Sequence, residues 1–468
     1  MHWFDFTIVI LFLIGFPLYG FSQRRKNQSN EDYFLGGRKT PWYIAMFSIV
    51  ATETSVLTFI SIPGIAYRGD WTFLQLAIGY IIGRVGVSFF LLPMYFNKGV
   101  ISIYEIIGSR FGIHMQKFSS AVFLITRILA DGVRFLATAI IVQVLTGWSI
   151  IFAVFVIGIA TIIYSFFGGI RTILWIDSFQ FILYLSGGLI AIIICLNSIE
   201  LSTYETFSIL FQNEKFKMIN FIGNPINTPY HFISAIIGGA FLSLASHGID
   251  HMMVQRVLST ENISYAKMAM IGSGIFVLIQ FVIFLLAGAL IFILINDQSI
   301  QQDREFTTFI INYVPIGLKG LLLAGALSAA MSTLSSSINS LTTSTVVDWI
   351  GKNSSLQNSK MISLFWGIVL VLFAIIFDER DSSLVEVGLR IASFTYGGLL
   401  GLFFLSKLNR EFNILLPPIG MIASLLIVFL LDSYGLAWTW FILISSVASI
   451  TIVMLLQYIV ESIASIKA

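Results

Sequence analysis

Residues 41–67 read PWYIAMFSIVATETSVLTFISIPGIAY. The run is long and apolar enough to cross a membrane, which takes about 20 residues of helix. Its middle departs from a plain anchor: Ala51-Thr52-Glu53-Thr54-Ser55 sets a carboxylate and three hydroxyls inside the apolar stretch. A second apolar segment, 230–257, is interrupted by Ser243, Ser246, His247, Gly248 and Asp250. Paired broken helices at matching places in two halves of a chain point to an inverted-repeat transporter, in which the breaks line a central site.

The rest of the chain fits that frame. Of its 468 residues, 57% are hydrophobic and only 11% charged, which excludes a soluble domain of ordinary composition. On the same length rule about 13 spans are expected. They run near 4–21, 41–67, 71–97, 118–145, 148–166, 172–196, 230–257, 264–296, 317–348, 359–377, 384–406, 411–431 and 436–461. The first span lacks a basic leader and carries Asp5 instead, so it reads as a retained helix rather than a signal peptide. The two interrupted segments lie five spans apart, and an odd separation inverts the second half. The repeats then cover 41–196 and 230–406. Residues 1–40 form a leading span and its loop, 197–229 an external connection, and 407–468 two further spans.

Orientation follows from the basic residues. Arg24, Arg25, Lys26, Arg38, Lys39, Lys98, Arg110, Lys117, Arg171, Arg256, Lys267, Lys352, Lys360, Lys407 and Arg410 fall on one side. The other side has Arg68, Lys215, Lys217, Arg304, Lys319 and Arg380. The N-terminus is therefore expected outside and the C-terminus in the cytoplasm. The external segments 197–229 and 297–316 are long enough for short surface helices. The single cysteine, Cys195, excludes an internal disulfide. A net charge of +2 with no basic tract gives no reason to expect nucleic acid.

Residues 326–345, ALSAAMSTLSSSINSLTTST, are the chemically richest stretch. Eleven of the eighteen residues from 328 to 345 are Ser or Thr. At helical spacing Ala329, Ser332, Thr333, Ser336, Asn339, Ser340 and Thr343 share one face, with Ser335 at its edge. Small residues let membrane helices pack closely, which is one reading. The other is a row of neutral oxygens that replace the water shell of an alkali cation without trapping it. Carbonyls freed at the break near Ala51 and Thr54 would complete such a shell.

Four segments together resemble the sodium:solute symporter family, which includes sodium–sugar, sodium–proline and sodium–sialic-acid carriers. They are GGRKTPWYIAMFSIVATETSVLTFISIPG, YSFFGGIRTILWIDSFQ, HGIDHMMVQRVL and residues 326–345, in the family's order and spacing. The resemblance implies an all-α polytopic membrane fold, the leucine-transporter type of 5+5 inverted repeat with extra helices. It implies sodium-coupled import of a small organic solute by alternating access, in the plasma or inner cell membrane, by a protein that functions as a monomer and is not an enzyme. It implies a sodium site made by the carbonyls of Ala51, Thr54 and Ala329 and the hydroxyls of Ser332 and Thr333. Some members hold a second ion, for which Asp177, Ser332, Ser335 and Ser336 would be the ligands here. An intramembrane carboxylate such as Asp177 is costly unless paired or liganding.

Substrate positions follow partly from the breaks and partly from the resemblance. Glu53, Ser55, Thr58, Ser243, Ser246 and His247 stand at or near the breaks. Thr58 and Ser243 resemble substrate-contacting positions in relatives, and Gln75 lies near a comparable position on the next helix. Glu53 stands where members often carry Asn, Asp or Thr. Arg127, Asp131 and Arg134 can pair along one helix face. They form either a self-neutralising cluster or one from which Arg134 holds a substrate carboxylate, as an arginine on this helix does in sialic-acid carriers. Other functions remain open at this point. A sodium channel or a nutrient sensor on the same scaffold would share these features. An intramembrane metal enzyme built on His247, Asp250 and His251 would need a further protein ligand.

Overall fold

The computed structural model describes residues 2–54, 56–297, 299–376 and 384–467. Among them the structure is helical, with one isolated bridge between Thr40 and Thr260. The chain opens with α1 (Trp3–Ser22) and the short α2 (Asn30–Leu35). The first interrupted segment forms α3 (Trp42–Glu53) and α4 (Val56–Arg68), bent by 63°. Next come α5 (Leu74–Gly86) and α6 (Leu92–Lys98), joined through a π-turn into one span, then the short α7 (Tyr104–Phe111). Two long helices follow, α8 (Ile113–Thr146) and α9 (Ile150–Ser198). The connection after α9 carries α10 (Thr203–Gln212).

The second interrupted segment forms α11 (Phe232–Gly248) and α12 (His251–Leu258), bent by 64°. Beyond it lie α13 (Ile263–Ile295), the short α14 (Glu305–Tyr313), α15 (Leu318–Ser344), α16 (Leu356–Ile376), α17 (Leu384–Ser406), α18 (Leu416–Ser433) and α19 (Phe441–Lys467). Eight described helices are each long and apolar enough to cross a membrane, and the two bent pairs raise that to ten.

Both breaks fall where the polar residues interrupt the apolar runs. At the second, Asp250 has left helical geometry and its Oδ1 accepts the Met252 N–H at 2.8 Å, so it caps α12. The loop helices α10 and α14 lie inside the two long connections expected to hold them. The run α9 consists of two helices that meet at a kink, where Gly169 at φ +61° leaves helical geometry, between the expected spans 148–166 and 172–196. One expectation is corrected: Arg256 and Lys215, read as charges in loops or at span ends, are buried.

The hydroxyl-rich α15 lies at the centre, and every residue from Leu322 to Ser344 is buried. It packs on α9, α8, α1 and α16, and its middle meets α3 and α12. The close pairing of α5 with α11 rests on small residues. A Cβ at Gly79 or Gly83 would come within 2.5 Å or 2.3 Å of an α11 carbonyl.

Candidate functional site

A cavity of about 700 Å³, its mouth included, lies between the two breaks. Glu53 and Thr58 border it from the first bent pair, and Ser246, His247 and Asp250 from the second. Arg127 and Arg134 face it from α8, and Tyr396 from α17. Of the substrate residues expected from sequence, Glu53, Thr58, Arg134, Ser246 and His247 line it. Ser243 is buried near Gly83 of α5 instead, and its hydroxyl has no hydrogen-bond partner. Gln75 is buried and engaged elsewhere: its amide donates to the carbonyls of Thr72 and Tyr230, and its Oε1 accepts from Asn220 N–H. Ser55 lies outside the described residues.

The charges around the cavity are tied together to different degrees. Arg84 of α5 is fully buried and pairs with Glu53, while its Nη1 donates to Ser273 Oγ at 2.6 Å. His247 Nε2 lies 3.5 Å from the same Glu53 oxygen, and Ser246 Oγ lies 2.9 Å from His247 Nδ1. On the opposite wall Arg127 is enclosed by Asp131 at 3.4 Å, Asp250 at 3.4 Å and the Tyr396 hydroxyl at 2.9 Å. Tyr396 in turn donates to Asp250. Arg134 has one long ion contact, 3.6 Å to Asp131, and its side chain is 16% exposed. It is less committed than Arg127, the other guanidinium that lines the cavity, and than the buried Arg84.

The residues expected from the sequence to hold sodium lie where α3 ends against α15. The break after Glu53 leaves the last carbonyls of α3 without a continuing helix to pair them. Thr52 Oγ1 lies 3.2 Å from Ser336 Oγ, which brings the two helices together. Thr54 Oγ1 is within 3.0 Å of Gln280 on α13. On α15 most hydroxyls turn back on their own helix. Thr333 donates to Ala329 O at 3.2 Å, Ser335 to Ser332 O at 3.1 Å and Thr342 to Ile338 O at 2.6 Å. Ser332 Oγ is buried without a hydrogen-bond partner. An unpartnered buried hydroxyl costs stability unless something else satisfies it, and a cation would do so.

Asp177 is fully buried on α9. Its Oδ2 accepts from Ser48 at 2.6 Å and Thr52 at 3.3 Å and lies 3.4 Å from Arg256 of α12. Arg256 also donates to Thr52 at 2.6 Å and to Ser336. Asp177 Oδ1 has no partner, and Ser332 faces the same carboxylate. The structure thus brings Asp177, Ser332 and Ser336 into one cluster and adds Ser48, Thr52 and Arg256 to it.

Sequence reasoning missed Arg84, Gln280 and Tyr396 and misplaced Arg256. A signal for Arg84 was present, since a lone arginine inside the apolar run LQLAIGYIIGRVG is an intramembrane charge, which is functional by default. Arg256 closes an amphipathic turn at a helix end, and nothing local shows that its carboxylate partner lies 79 positions earlier.

The profile of the sodium:solute symporter family matches residues 33–385. The chain belongs to this family. Its relatives include the sodium/sialic acid symporter NanT of Aliivibrio fischeri, 28% identical over 86% of this chain and 82% of the relative. The sodium/sialic acid symporter SiaT of Proteus mirabilis is 28% identical over 92% and 90%. The sodium-coupled monocarboxylate transporter 2 of Mus musculus is 25% identical over 84% and 66%. In fold the chain is similar to a sodium-coupled sialic acid symporter in a substrate-bound outward-open state, with a TM-score of 0.88 over 98% of both chains at 24% identity. It is less similar to the nucleobase-cation symporter Mhp1, with a TM-score of 0.61 over 93% and 96% at 14% identity. This family member is a sodium-coupled symporter of a small organic solute, a multi-pass protein of the cell membrane and not an enzyme.

Proposed function

We propose that this symporter carries a carboxylated solute, with Arg134 holding the carboxylate in the cavity between the two breaks. The supporting observation is the contrast among the arginines: Arg84 and Arg127 are enclosed by partners, whereas Arg134 keeps one long contact and faces the cavity. A guanidinium presents two parallel donors to a carboxylate, a geometry that lysine lacks. Glu53, Ser246 and Thr58 across the cavity would take hydroxyl or amide groups of the same solute. The sialic acid carried by two relatives has this combination of groups.

The first sodium ion is assigned to the carbonyls of Ala51, Thr54 and Ala329 and the hydroxyls of Ser332 and Thr333. The unpartnered Ser332 hydroxyl supports that assignment. A second ion is assigned to Asp177 Oδ1, Ser332 and the neighbouring Ser335 and Ser336, with Arg256 taking the other carboxylate oxygen. In the fold we infer a 5+5 inverted repeat, residues 41–196 and 230–406. Dividing α9 at Gly169 and counting α8 and α17 as spans gives about thirteen crossings, of the length a bilayer asks for. The N-terminus is placed outside and the C-terminus in the cytoplasm, and a monomer without nucleic acid is taken as the working unit.

The test is uptake of N-acetylneuraminate into proteoliposomes under an imposed inward sodium gradient, beside a thermal-shift screen of sugars, amino acids and short carboxylates. Sodium-driven uptake that Arg134→Lys cuts at least about tenfold in kcat/KM supports the carboxylate reading, since one bidentate pair is worth that much. Stabilisation by uncharged sugars alone would overturn it.

A further inference from the structure

The ion-binding turn of α15 and Arg134 border one small space. Asp131, Arg134 and Thr138 of α8 line it from one side, and Ala330 and Thr333 of α15 from the other. Thr333 is assigned to the sodium site and Arg134 to the solute, so the two ligands approach each other here. Between them stands Ser337, one turn beyond Thr333. Its hydroxyl is within hydrogen-bonding reach of two oxygen acceptors, Asp131 Oδ2 and, at 3.0 Å, Thr333 O, and of the weaker acceptor Met252 Sδ at 3.5 Å. A serine hydroxyl has a single hydrogen, so it donates to one of them at a time.

The two choices have different consequences for Arg134. With the Ser337 hydrogen on Asp131, the carboxylate has a neutral donor and depends less on the arginines beside it. With the hydrogen on Thr333 O, Asp131 draws on Arg127 and Arg134 alone. Sodium acts on the same turn. The Thr333 hydroxyl now donates to Ala329 O at 3.2 Å, and both atoms belong to the assigned ion shell. Ion capture there turns the Thr333 hydroxyl hydrogen away from Ala329 O and draws on the turn whose carbonyl, Thr333 O, competes for the Ser337 hydrogen.

We propose that Ser337 and Asp131 are positioning residues that convert sodium occupancy at Ser332 and Thr333 into release of Arg134 for the solute. The inference rests on the sodium and carboxylate assignments above. Symport fixes its sign, because sodium must favour the arrangement that binds solute, and coupling of this kind is reciprocal.

The experiment needs no solute, so its failure is distinct from failure of the carboxylate reading. Purified protein in detergent is treated with phenylglyoxal in sodium chloride or in choline chloride at equal ionic strength. The rate of modification at Arg134 is followed by peptide mass mapping. Sodium should raise that rate at least about fivefold, the low end of ordinary coupling between sites. The rise should vanish in Ser337→Ala and return in Ser337→Thr. Asp131→Asn should make Arg134 react fast with or without sodium. Sodium should still raise the melting temperature of Ser337→Ala, a response that Ser332→Ala abolishes. The proposal is overturned by an unchanged sodium effect in Ser337→Ala, by no sodium effect in the wild type, or by loss of sodium stabilisation in Ser337→Ala.

Discussion

At the scale of single residues, α15 carries hydroxyls that turn back on their own helix and others, such as Ser332, that do not. Thr342 is satisfied by its own helix, whereas Ser332 does not turn back on α15 and faces the Asp177 carboxylate. Ser332→Ala should raise the half-saturating sodium concentration at least about tenfold, since one lost ligand costs 1.4 kcal/mol or more. Thr342→Ala should leave sodium dependence near the wild type. Uptake against sodium concentration checks both, and equal effects would return the whole face to packing. The sequence placed Ser332, Thr333 and Ser336 on one face but had no means of telling which hydroxyls turn back on the helix. Charges were harder still. Arg84 closes on Glu53, and its burial is legible only once α5 is packed on α11 and α13. Arg84→Met should cost about 3 kcal/mol by leaving the Glu53 carboxylate beside His247 without its main partner. Glu53→Gln placed on top should recover part of that loss. Thermal melting of the single and double variants closes the cycle, and additive losses would dismiss the pair as a stabilising unit.

At the scale of elements, helix ends do work that the apolar pattern hides. The N-terminus of α15 is capped by a residue more than three hundred positions away. Asp5 Oδ1 accepts from Gly317 N–H at 2.6 Å and Gly320 N–H at 2.8 Å. Gly320 permits this approach, because a Cβ there would stand 2.6 Å from Asp5 Cα. Asp5 thus fastens the leading helix to the hydroxyl-rich α15. Asp5→Ala should lower stability by about 1 kcal/mol, the usual value of an N-cap. Melting in detergent with and without sodium should show the same sodium increment as the wild type. A lost increment would mean that the cap shapes the ion site itself. At its other end α4 is closed by Lys215, whose Nζ donates to the carbonyls of Ala66, Tyr67 and Gly69 at 3.2, 2.7 and 3.1 Å. Burial holds that ammonium below the usual lysine range. The breaks in 41–67 and 230–257 were readable because polar residues interrupt apolar ones. The division of α9 was readable too, because the glycine turn at Gly169 stands between two apolar runs.

At the scale of the molecule, the Asp177 cluster gathers α3, α9, α12 and α15 through Ser48 and Thr52, Asp177, Arg256 and Ser336. These elements come from both halves of the proposed repeat, so an ion held there reports on how the halves are arranged. Two sodium ions that share Ser332 would not bind independently, and uptake would rise sigmoidally with sodium. The obvious variant, Asp177→Asn, tests this poorly. It leaves the Arg256 guanidinium fully buried without a counter-charge, a loss of about 3–5 kcal/mol that the fold need not survive. Ser335→Ala is cleaner, because the Ser335 hydroxyl holds no buried charge: it donates to its own helix at Ser332 O and neighbours the Tyr164 hydroxyl. Its removal should bring the Hill coefficient for sodium down to one while solute uptake stays sodium-dependent through the first site. Solute affinity should then rise with sodium by a smaller factor, and sodium affinity with solute by that same smaller factor, since the two are one coupling free energy. Uptake and binding measured on the same preparation check the equality. A Hill coefficient of one in the wild type would reduce the carrier to a single coupling ion and leave Asp177 as the structural partner of Arg256.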